Sequence, residues 1–181
     1  MAILVIGEFI FGLGDSLLIA AGVGNTPWTV LAEGIADTTE VWTIGEATFL
    51  VSVAVMFLWI PIKETPGIGT ILNIIIIALT IHVMVPILPQ PENPLVSILM
   101  ASLGIVLVGI GSCMYLTANL GPGPRDGWMT GLQRTTGIPI GRVRIAIEAS
   151  VLVIGIVLGG TFGIGTILFA VTIGPVVALS L

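Results

Sequence analysis

Six apolar segments divide the chain, and each is about as long as a helix that crosses a lipid bilayer. They cover residues 3–21, 42–62, 67–88, 96–118, 138–159 and 163–181, with turn-forming residues between them. A water-exposed surface needs roughly a quarter of its residues charged, whereas only 8% are charged in this chain. A soluble globular fold is therefore excluded. We predict an all-α, polytopic membrane bundle of six transmembrane helices that forms a single membrane domain over residues 1–181.

The composition leaves few chemistries open. Five Lys and Arg residues are too few for the basic face of a nucleic-acid-binding protein. One Cys and one His supply neither a disulfide framework nor a metal site. The sequence has no pattern typical of a catalytic triad, an activated cysteine or a phosphate-binding loop. We therefore expect no enzyme, no cofactor, no bound metal and no nucleic-acid partner, and we expect no secretory signal peptide.

Two connections between the segments are long and apolar. Residues 22–41 follow the first segment and residues 119–137 follow the fourth, and both contain Trp, Leu and other apolar side chains. Backbone without helical structure at membrane depth requires protein neighbours to satisfy its polar groups. We predict that each connection forms a short interfacial or re-entrant helix.

The distribution of charge predicts the orientation of the bundle. In a six-span arrangement the side of both termini carries all the cations, which are Lys63, Arg125, Arg134, Arg142 and Arg144. The opposite side carries only acids, which are Glu33, Asp37, Glu40, Glu46 and Glu92. Because cytoplasmic loops of membrane proteins are enriched in Lys and Arg, both termini are predicted to be cytoplasmic.

The chain also contains an internal repeat. Residues 67–72 (GIGTIL) recur letter for letter at 163–168, an offset of 96, and earlier matches follow an offset of 97. We predict two units of three spans, residues 1–94 and 95–181. Since three is odd, the second unit is inverted, and Asp37 of the outer side corresponds to Arg134 of the inner side. Such charges either fix only the topology or accompany a binding site at the axis between the repeats, near the membrane midplane.

Glycines recur at equivalent positions of the first and fourth spans, namely Gly7, Gly12, Gly14, Gly104, Gly109 and Gly111. Small residues let two helix backbones approach closely. We therefore predict that these two spans pack against each other near the axis that relates the repeats. The alternative is that the glycines leave room for a ligand.

Asp15 is the principal candidate for binding a solute, because a carboxylate inside an apolar span is costly and marks a functional site. It lies seven residues after Glu8 on the same helix face, and its repeat equivalent, Ser112, is also polar. We predict that Asp15 and Ser112 offer polar groups near the repeat axis, where Asp15 has the chemistry of a proton carrier. The alternative is a hydrated Asp15 near the outer interface, and Glu8 is expected to reach water close to the N-terminus.

Three further polar residues complete the candidate solute-binding set. Glu148 follows Arg144 by four residues, so it either forms an intrahelical ion pair or faces the bundle centre. His82 is predicted to lie deep in the third span, where a lone His more often bonds a neighbouring helix than carries protons. Asn73 is likewise expected to bridge helices.

A glycine-proline motif precedes the second short helix. Gly121 and Gly123 expose backbone N–H groups and Arg125 adds a positive charge, so the three residues could hold an anion such as a lipid headgroup phosphate. The alternative is a tight turn with Arg125 extended toward the membrane surface. In either case Asp126 is available to pair with Arg125.

These glycine-proline motifs resemble a known family. Residues 121–127 (GPGPRDG), 129–132 (MTGL) and 147–148 (IE) resemble the second half of YczE-type bacterial membrane proteins. Residues 24–28 (GNTPW), 61–62 (PI) and 66–73 (PGIGTILN) are similar to the first half of that family. The resemblance implies a small multi-span protein of the bacterial inner (plasma) membrane, without a defined activity. Glu8 and Asp15 depart from it, since apolar residues are expected at both positions.

Two functions are consistent with these features. The first is a permease-like protein that binds or moves a small solute, cationic or proton-coupled, at the repeat interface, with Asp15 and Glu148 as its main polar groups. The alternative is a non-transporting accessory or structural subunit that recruits a partner. The expected partners are the lipid bilayer, a small solute and further copies of the chain, since a bundle of this size can form a homo-oligomer.

Overall fold

The computed structural model describes residues 1–39 and 41–180, which form eight α-helices and no β-strand. Glu40, one of the predicted outer acids, and Leu181, the end of the predicted sixth span, lie outside these residues. In chain order the helices are α1 (Ala2–Ala21), α2 (Pro27–Thr39), α3 (Ile44–Phe57), α4 (Ile68–Met84), α5 (Pro94–Thr117), α6 (Pro124–Thr136), α7 (Ile140–Val157) and α8 (Ile164–Ser180). The predicted all-α fold is confirmed for the described part of the chain.

Several helices are shorter than the predicted spans. Among the described residues, α1 and α5 are long and apolar enough to cross a membrane, and α2 with α3, bent by 115° at the break between them, is a third candidate if the pair is one broken span. α4 is apolar but shorter, α3 has 14 residues, and α7 carries three charges. Length and composition therefore account for two or three of the six predicted spans.

The end of α3 shows why the second span was overestimated. The helix ends at Phe57, and residues 58–63 form turns instead of continuing to the predicted end at 62. The buried indole of Trp59 donates a hydrogen bond of 2.9 Å to the carbonyl of Pro124 at the start of α6, and Pro61 has no N–H to extend the helix. A contact with a distant helix thus replaces helical hydrogen bonds, and local hydropathy does not reveal such a contact.

The two long connections contain α2 and α6, so the predicted short helices are confirmed. Each has 13 residues and begins at a proline, Pro27 or Pro124, whose missing N–H costs nothing in the first helical turn. The residue after α6, Gly137, has a φ of 72° and caps the C-terminus of the helix in the left-handed conformation. These two helices bring the side chains of residues 28 and 125 into the bundle.

Four of the six predicted packing glycines join α1 to α5, which run antiparallel. A Cβ atom on Gly14 would lie 2.6 Å from the carbonyl oxygen of Gly104, and one on Gly111 would lie 2.6 Å from that of Gly7. No side chain fits at such distances, so only glycine permits this approach of the two backbones. The predicted packing of the first and fourth spans is confirmed at these four positions.

The other two glycines contact different helices. A Cβ atom on Gly12 would lie 2.7 Å from the Cβ atom of Thr80 in α4, and Gly109 packs against Val176 in α8. The prediction that both belong to the α1–α5 contact is therefore wrong. They lie on a neighbouring face of their helices, where the absence of a side chain lets α4 pack closely against α1 and α8 against α5.

The outer surface of the bundle is apolar. Large hydrophobic side chains are exposed on every long helix, among them Ile6, Leu79, Leu103, Val153 and Val171. Contiguous apolar surface of this extent is not tolerated in water and is typical of a surface that contacts lipid. The outer surface therefore supports a membrane protein.

Two hydrogen bonds connect the halves at positions related by the repeat. The amide of Gly69 in α4 donates to the carbonyl of Leu120 at 2.8 Å, and the amide of Gly165 in α8 donates to the carbonyl of Val23 at 2.8 Å. Each bond anchors the loop before a short helix of one half to the first turn of a long helix of the other half. The loops that position α2 and α6 are thus held by the same geometry.

Candidate functional site

Two cavities lie inside the bundle, and we name them after the half of the chain that supplies most of their lining. The polar lining of the first-half cavity is Asp15, Thr29, Thr48, Ser52, Asn73 and Arg125. The polar lining of the second-half cavity is Ser112, Tyr115, Arg125, Asp126, Arg144 and Glu148. They contain about 450 and 590 Å³ of space between atoms, openings included. The predicted single site with Asp15, Ser112 and Glu148 together is therefore wrong, because Asp15 lines one cavity and the other two residues line the other.

The two cavities are built from equivalent positions. By the repeat offsets of 97 and 96, the corresponding lining residues are Asp15 and Ser112, Thr48 and Arg144, Ser52 and Glu148, Asn73 and Phe169, and Ile77 and Ile173. Trp28 and Arg125 also correspond to each other, and both line both cavities. This pair therefore forms the boundary that the two cavities share.

Arg125 is directed into the bundle. The carbon of its guanidinium lies 5.0 Å from the ring centre of Phe11 and 6.0 Å from that of Trp28, so two cation–π contacts hold it. Among the described residues no carboxylate lies within 4.0 Å of it. The expected pairing with Asp126 is absent, since the Asp126 carboxylate accepts a hydrogen bond from the hydroxyl of Tyr115 at 2.5 Å. The orientation of Arg125 also contradicts its predicted extension toward the membrane surface.

Asp15 is buried in the first-half cavity with incomplete hydrogen bonding. Only 2% of it is exposed, which excludes the hydrated alternative. Its Oδ2 atom accepts one long hydrogen bond, of 3.3 Å, from the hydroxyl of Thr29, and its Oδ1 atom has no partner. Thr29 lies in the first turn of α2, where its amide donates to the hydroxyl of Thr26. The start of α2 thus positions the one polar group that contacts the carboxylate.

Two buried donors in the same cavity also lack partners. They are the amide nitrogen of Asn73 and the indole nitrogen of Trp28, and each side chain is 8% exposed. The expected hydrogen bond from the Asn73 amide nitrogen to a neighbouring helix is therefore not made. A buried polar group without a partner costs about 1–3 kcal/mol, so such groups call for an explanation such as a bound solute or water. The first-half cavity combines one unsatisfied acceptor with two unsatisfied donors.

Ser112, Tyr115, Asp126, Arg144 and Glu148, which line only the second-half cavity, all have hydrogen-bond partners. Ser112 donates to the carbonyl of Val108 at 2.7 Å, one helical turn earlier. Arg144 and Glu148 form an ion pair at 2.9 Å, which agrees with the first of the two interpretations of Glu148. The pair nevertheless lines the cavity. Apart from Trp28 and Arg125, which line both cavities, the second-half cavity therefore offers a solute few unsatisfied groups.

Glu8 and His82 lie outside both cavities. Glu8 is 0% exposed, so the expectation that it reaches water is wrong, and neither carboxylate oxygen has a hydrogen-bond partner. His82 lies in the last turn of α4, where it is exposed and its Nδ1 atom is 2.9 Å from the hydroxyl of Thr43, the residue that caps α3. It is therefore not deep in the bundle, and its role is to connect two helix ends.

The glycines of the predicted anion site serve packing. Gly121 has a φ of 119° and lies against Gly67 and Thr70, whose hydroxyl donates to the carbonyl of Pro122 at 2.8 Å. Gly123 is buried as the residue that precedes α6. With Arg125 inside the bundle, the three residues do not form one exposed cradle. Among the described residues no group of three or more His, Cys, Asp and Glu side chains is placed to hold a metal ion.

Four residues with hydrogen-bonding side chains line the first-half cavity but were not among the predicted site residues, namely Trp28, Thr29, Thr48 and Ser52. The sequence offsets contain a signal that identifies all four, because each is equivalent to a charged residue of the second half. The equivalent residues are Arg125, Asp126, Arg144 and Glu148.

Comparison with known proteins gives one family and several relatives. The family of unknown function DUF6198 matches residues 1–180. An uncharacterized protein of Haemophilus influenzae is 45% identical over 177 residues, which cover 98% of this chain and 81% of the relative. The uncharacterized membrane protein YczE of Bacillus subtilis is 33% identical over 180 residues, covering 97% of this chain and 82% of YczE.

A second Bacillus subtilis protein, the uncharacterized YyaS, is 29% identical over 176 residues, covering 90% of this chain and 83% of the relative. No solved structure matches the chain. The apolar exterior and the relative YczE both indicate a membrane protein. The predicted resemblance to YczE-type proteins is confirmed. The chain belongs to the DUF6198 family.

Proposed function

We propose that the chain is a six-span membrane protein made of two inverted units, residues 1–94 and 95–181. Support comes from contacts that recur at the repeat offset. The recurring glycine contacts are Gly7–Gly111 with Gly104–Gly14, and Gly12–Thr80 with Gly109–Val176. The antiparallel course of α1 and α5 is the one that inversion requires.

In this arrangement α3, α4, α7 and α8 are the remaining spans and α2 and α6 are re-entrant. Both termini lie in the cytoplasm and the bilayer is the inner membrane of a bacterium, which the position of the cations and the membrane-protein name of YczE support.

Labelling of single cysteines tests the inversion at equivalent positions. In a Cys113→Ala background, we expect Asp37→Cys and Arg134→Cys to react with an impermeant maleimide from opposite sides of the membrane. Reaction of both from one side would refute the inverted repeat.

We further propose that the protein is a permease-like carrier that binds or moves a small solute at the repeat interface, and that it is not an enzyme. The observation that carries this proposal is the pair of equivalent cavities that meet at Trp28 and Arg125. Carriers built from inverted repeats place their solute sites where the two units meet. The unsatisfied groups around Asp15 support a solute site in the first-half cavity.

Solute flux into proteoliposomes tests the permease proposal. We expect wild-type protein to carry at least one small polar solute, and we expect Asp15→Asn, which preserves shape and removes the charge, to abolish that flux. Asp37→Asn is the matched control, because it makes the same substitution at an exposed position of α2. Flux that is the same in Asp15→Asn and in wild type would remove Asp15 from the mechanism.

A non-transporting accessory subunit is the second candidate. The close glycine contact between α1 and α5 favours it, because the contact leaves no space between the two helices at the centre of the bundle. In this case the exposed apolar surface would bind another membrane protein or a further copy of the chain. A stable complex recovered from native membranes, together with no flux of any solute, would support this function over the first.

A further inference from the structure

We propose that the first-half cavity binds a small zwitterion, a solute with one ammonium group and one carboxylate group. This inference rests on the proposed permease function and specifies its solute. The cavity is lined by one carboxylate, Asp15, and one guanidinium, Arg125, and neither forms an ion pair within 4.0 Å among the described residues. Two opposite charges that line one cavity without touching leave a place for a ligand that pairs with both.

The acceptor side of the site is Asp15. Its Oδ1 atom is buried and has no hydrogen-bond partner, while Oδ2 receives only the long bond from Thr29. An ammonium group has three donors and no acceptor, so it matches a carboxylate that lacks donors. The hydroxyl groups of Thr48 and Ser52 line the same cavity and can accept from the same group. The ammonium group of the solute is therefore assigned to Asp15.

The donor side of the site is Arg125 with two neutral donors. Asn73 and Trp28 line the cavity, and the buried amide nitrogen of the first and indole nitrogen of the second have no hydrogen-bond partner. The guanidinium of Arg125 is held over aromatic rings, so its N–H groups remain available to a carboxylate. A carboxylate with its two oxygens accepts from several such donors at once. The carboxylate of the solute is therefore assigned to Arg125, Asn73 and Trp28.

The second-half cavity shows what the first-half cavity lacks. There Arg144 and Glu148 form their own ion pair, at positions equivalent to Thr48 and Ser52 of the first half. The second-half cavity thus contains a positive and a negative group that pair with each other. The first-half cavity has two hydroxyl groups at the equivalent positions. A zwitterion supplies the two charges that the positions of Thr48 and Ser52 do not carry.

A solute with a single charge fits less well. A cation that binds Asp15 remains near Arg125, and an anion that binds Arg125 remains near Asp15, so each meets a repulsive charge in a site of low polarity. This refines the cationic solute expected from the acids alone. Glycine and β-alanine, whose charges are separated by one and two carbon atoms, are the smallest probes of the zwitterion class.

The experiment measures the thermal stabilisation of purified protein in detergent as a function of probe concentration. The probes are glycine and β-alanine, with ethylammonium and acetate as analogues that carry one charge each, all at constant ionic strength. We expect saturable stabilisation by at least one zwitterion and at least tenfold weaker binding of both analogues. We expect Asp15→Asn and Arg125→Gln to weaken zwitterion binding by roughly 10–100-fold, the effect of losing a hydrogen bond to a charged group. Asp37→Asn, the exposed control, should bind as wild type does.

Several results would overturn the inference. These are no saturable response to either zwitterion, equal binding of ethylammonium or acetate, or undiminished binding in Asp15→Asn. The flux assay separates this failure from that of the permease proposal. Flux of another solute that depends on Asp15 would retain the permease and refute the zwitterion. Binding of a zwitterion that is not carried would retain the site and refute the permease.

Discussion

The two cavities occupy equivalent positions in the two halves of the chain but differ in their hydrogen bonding. In the second-half cavity Arg144 pairs with Glu148 and Tyr115 donates to Asp126. In the first-half cavity Asp15 keeps an unpaired oxygen. The positions related by the sequence offsets thus share packing contacts but differ in their polar side chains, so the half with the unsatisfied carboxylate is the one in which to look for binding.

The framework that the halves share is the glycine contact of α1 and α5. Gly14 and Gly111 are equivalent by the repeat offset, and a Cβ atom on either would lie 2.6 Å from a carbonyl oxygen of the other helix. The glycine packing is therefore alike at these two positions, whereas the lining of the two cavities differs. Substitutions at three places test this distinction, in order of decreasing effect.

The largest effect is expected at the shared contact. We expect Gly14→Ala and Gly111→Ala each to lower the free energy of unfolding by about 1–3 kcal/mol, because the added methyl groups force the two backbones apart. The measurement is thermal or denaturant unfolding in detergent. Gly174→Ala is the matched control, since a Cβ atom there meets nothing within 4 Å and alanine favours the helix. A strongly unequal loss of unfolding free energy in Gly14→Ala and Gly111→Ala would contradict the equivalence of the two glycine contacts.

An effect of opposite sign is expected in the first-half cavity. Asp15→Asn removes a buried charge with one unpaired oxygen, so we expect it to raise the free energy of unfolding by about 1–2 kcal/mol while binding of the solute is weakened. The measurement is the melting temperature without solute, compared with that of Asp37→Asn. Destabilisation by Asp15→Asn would show that the carboxylate has a structural role and would remove the contrast between the cavities.

The smallest effect is expected in the second-half cavity. Glu148→Gln breaks the ion pair with Arg144. Because the side chains of Glu148 and Arg144 are 23% and 42% exposed, we expect the free energy of unfolding to fall by no more than about 1 kcal/mol. The same unfolding measurement checks this value. Stabilisation by Glu148→Gln, as in Asp15→Asn, would mean that both cavities contain an uncompensated charge.

Much of the framework could be predicted from the sequence. The helices in the two long connections and the packing of Gly7, Gly14, Gly104 and Gly111 follow from local composition and spacing. Helix ends such as that of α3 could not be predicted, because Trp59 bonds to a carbonyl that is distant in the sequence. Local hydropathy contains no information on such contacts.

The grouping of the site residues failed for a geometric reason. Equivalence by repeat offset places two residues symmetrically about an axis, but it brings them together only if both lie at the axis. Trp28 and Arg125 line both cavities, whereas Asp15 and Ser112 line different ones. The burial of Glu8 was missed because closeness to a terminus along the chain does not determine exposure.

The central claim is that the first-half cavity is the solute site and the second-half cavity is not. A crystal structure of the protein with glycine or β-alanine tests it most directly. We predict density for the zwitterion between the Asp15 carboxylate and the Arg125 guanidinium, with the Arg144–Glu148 pair intact. An empty first-half cavity, or density for the zwitterion beside Ser112 and Glu148 instead, would contradict the claim.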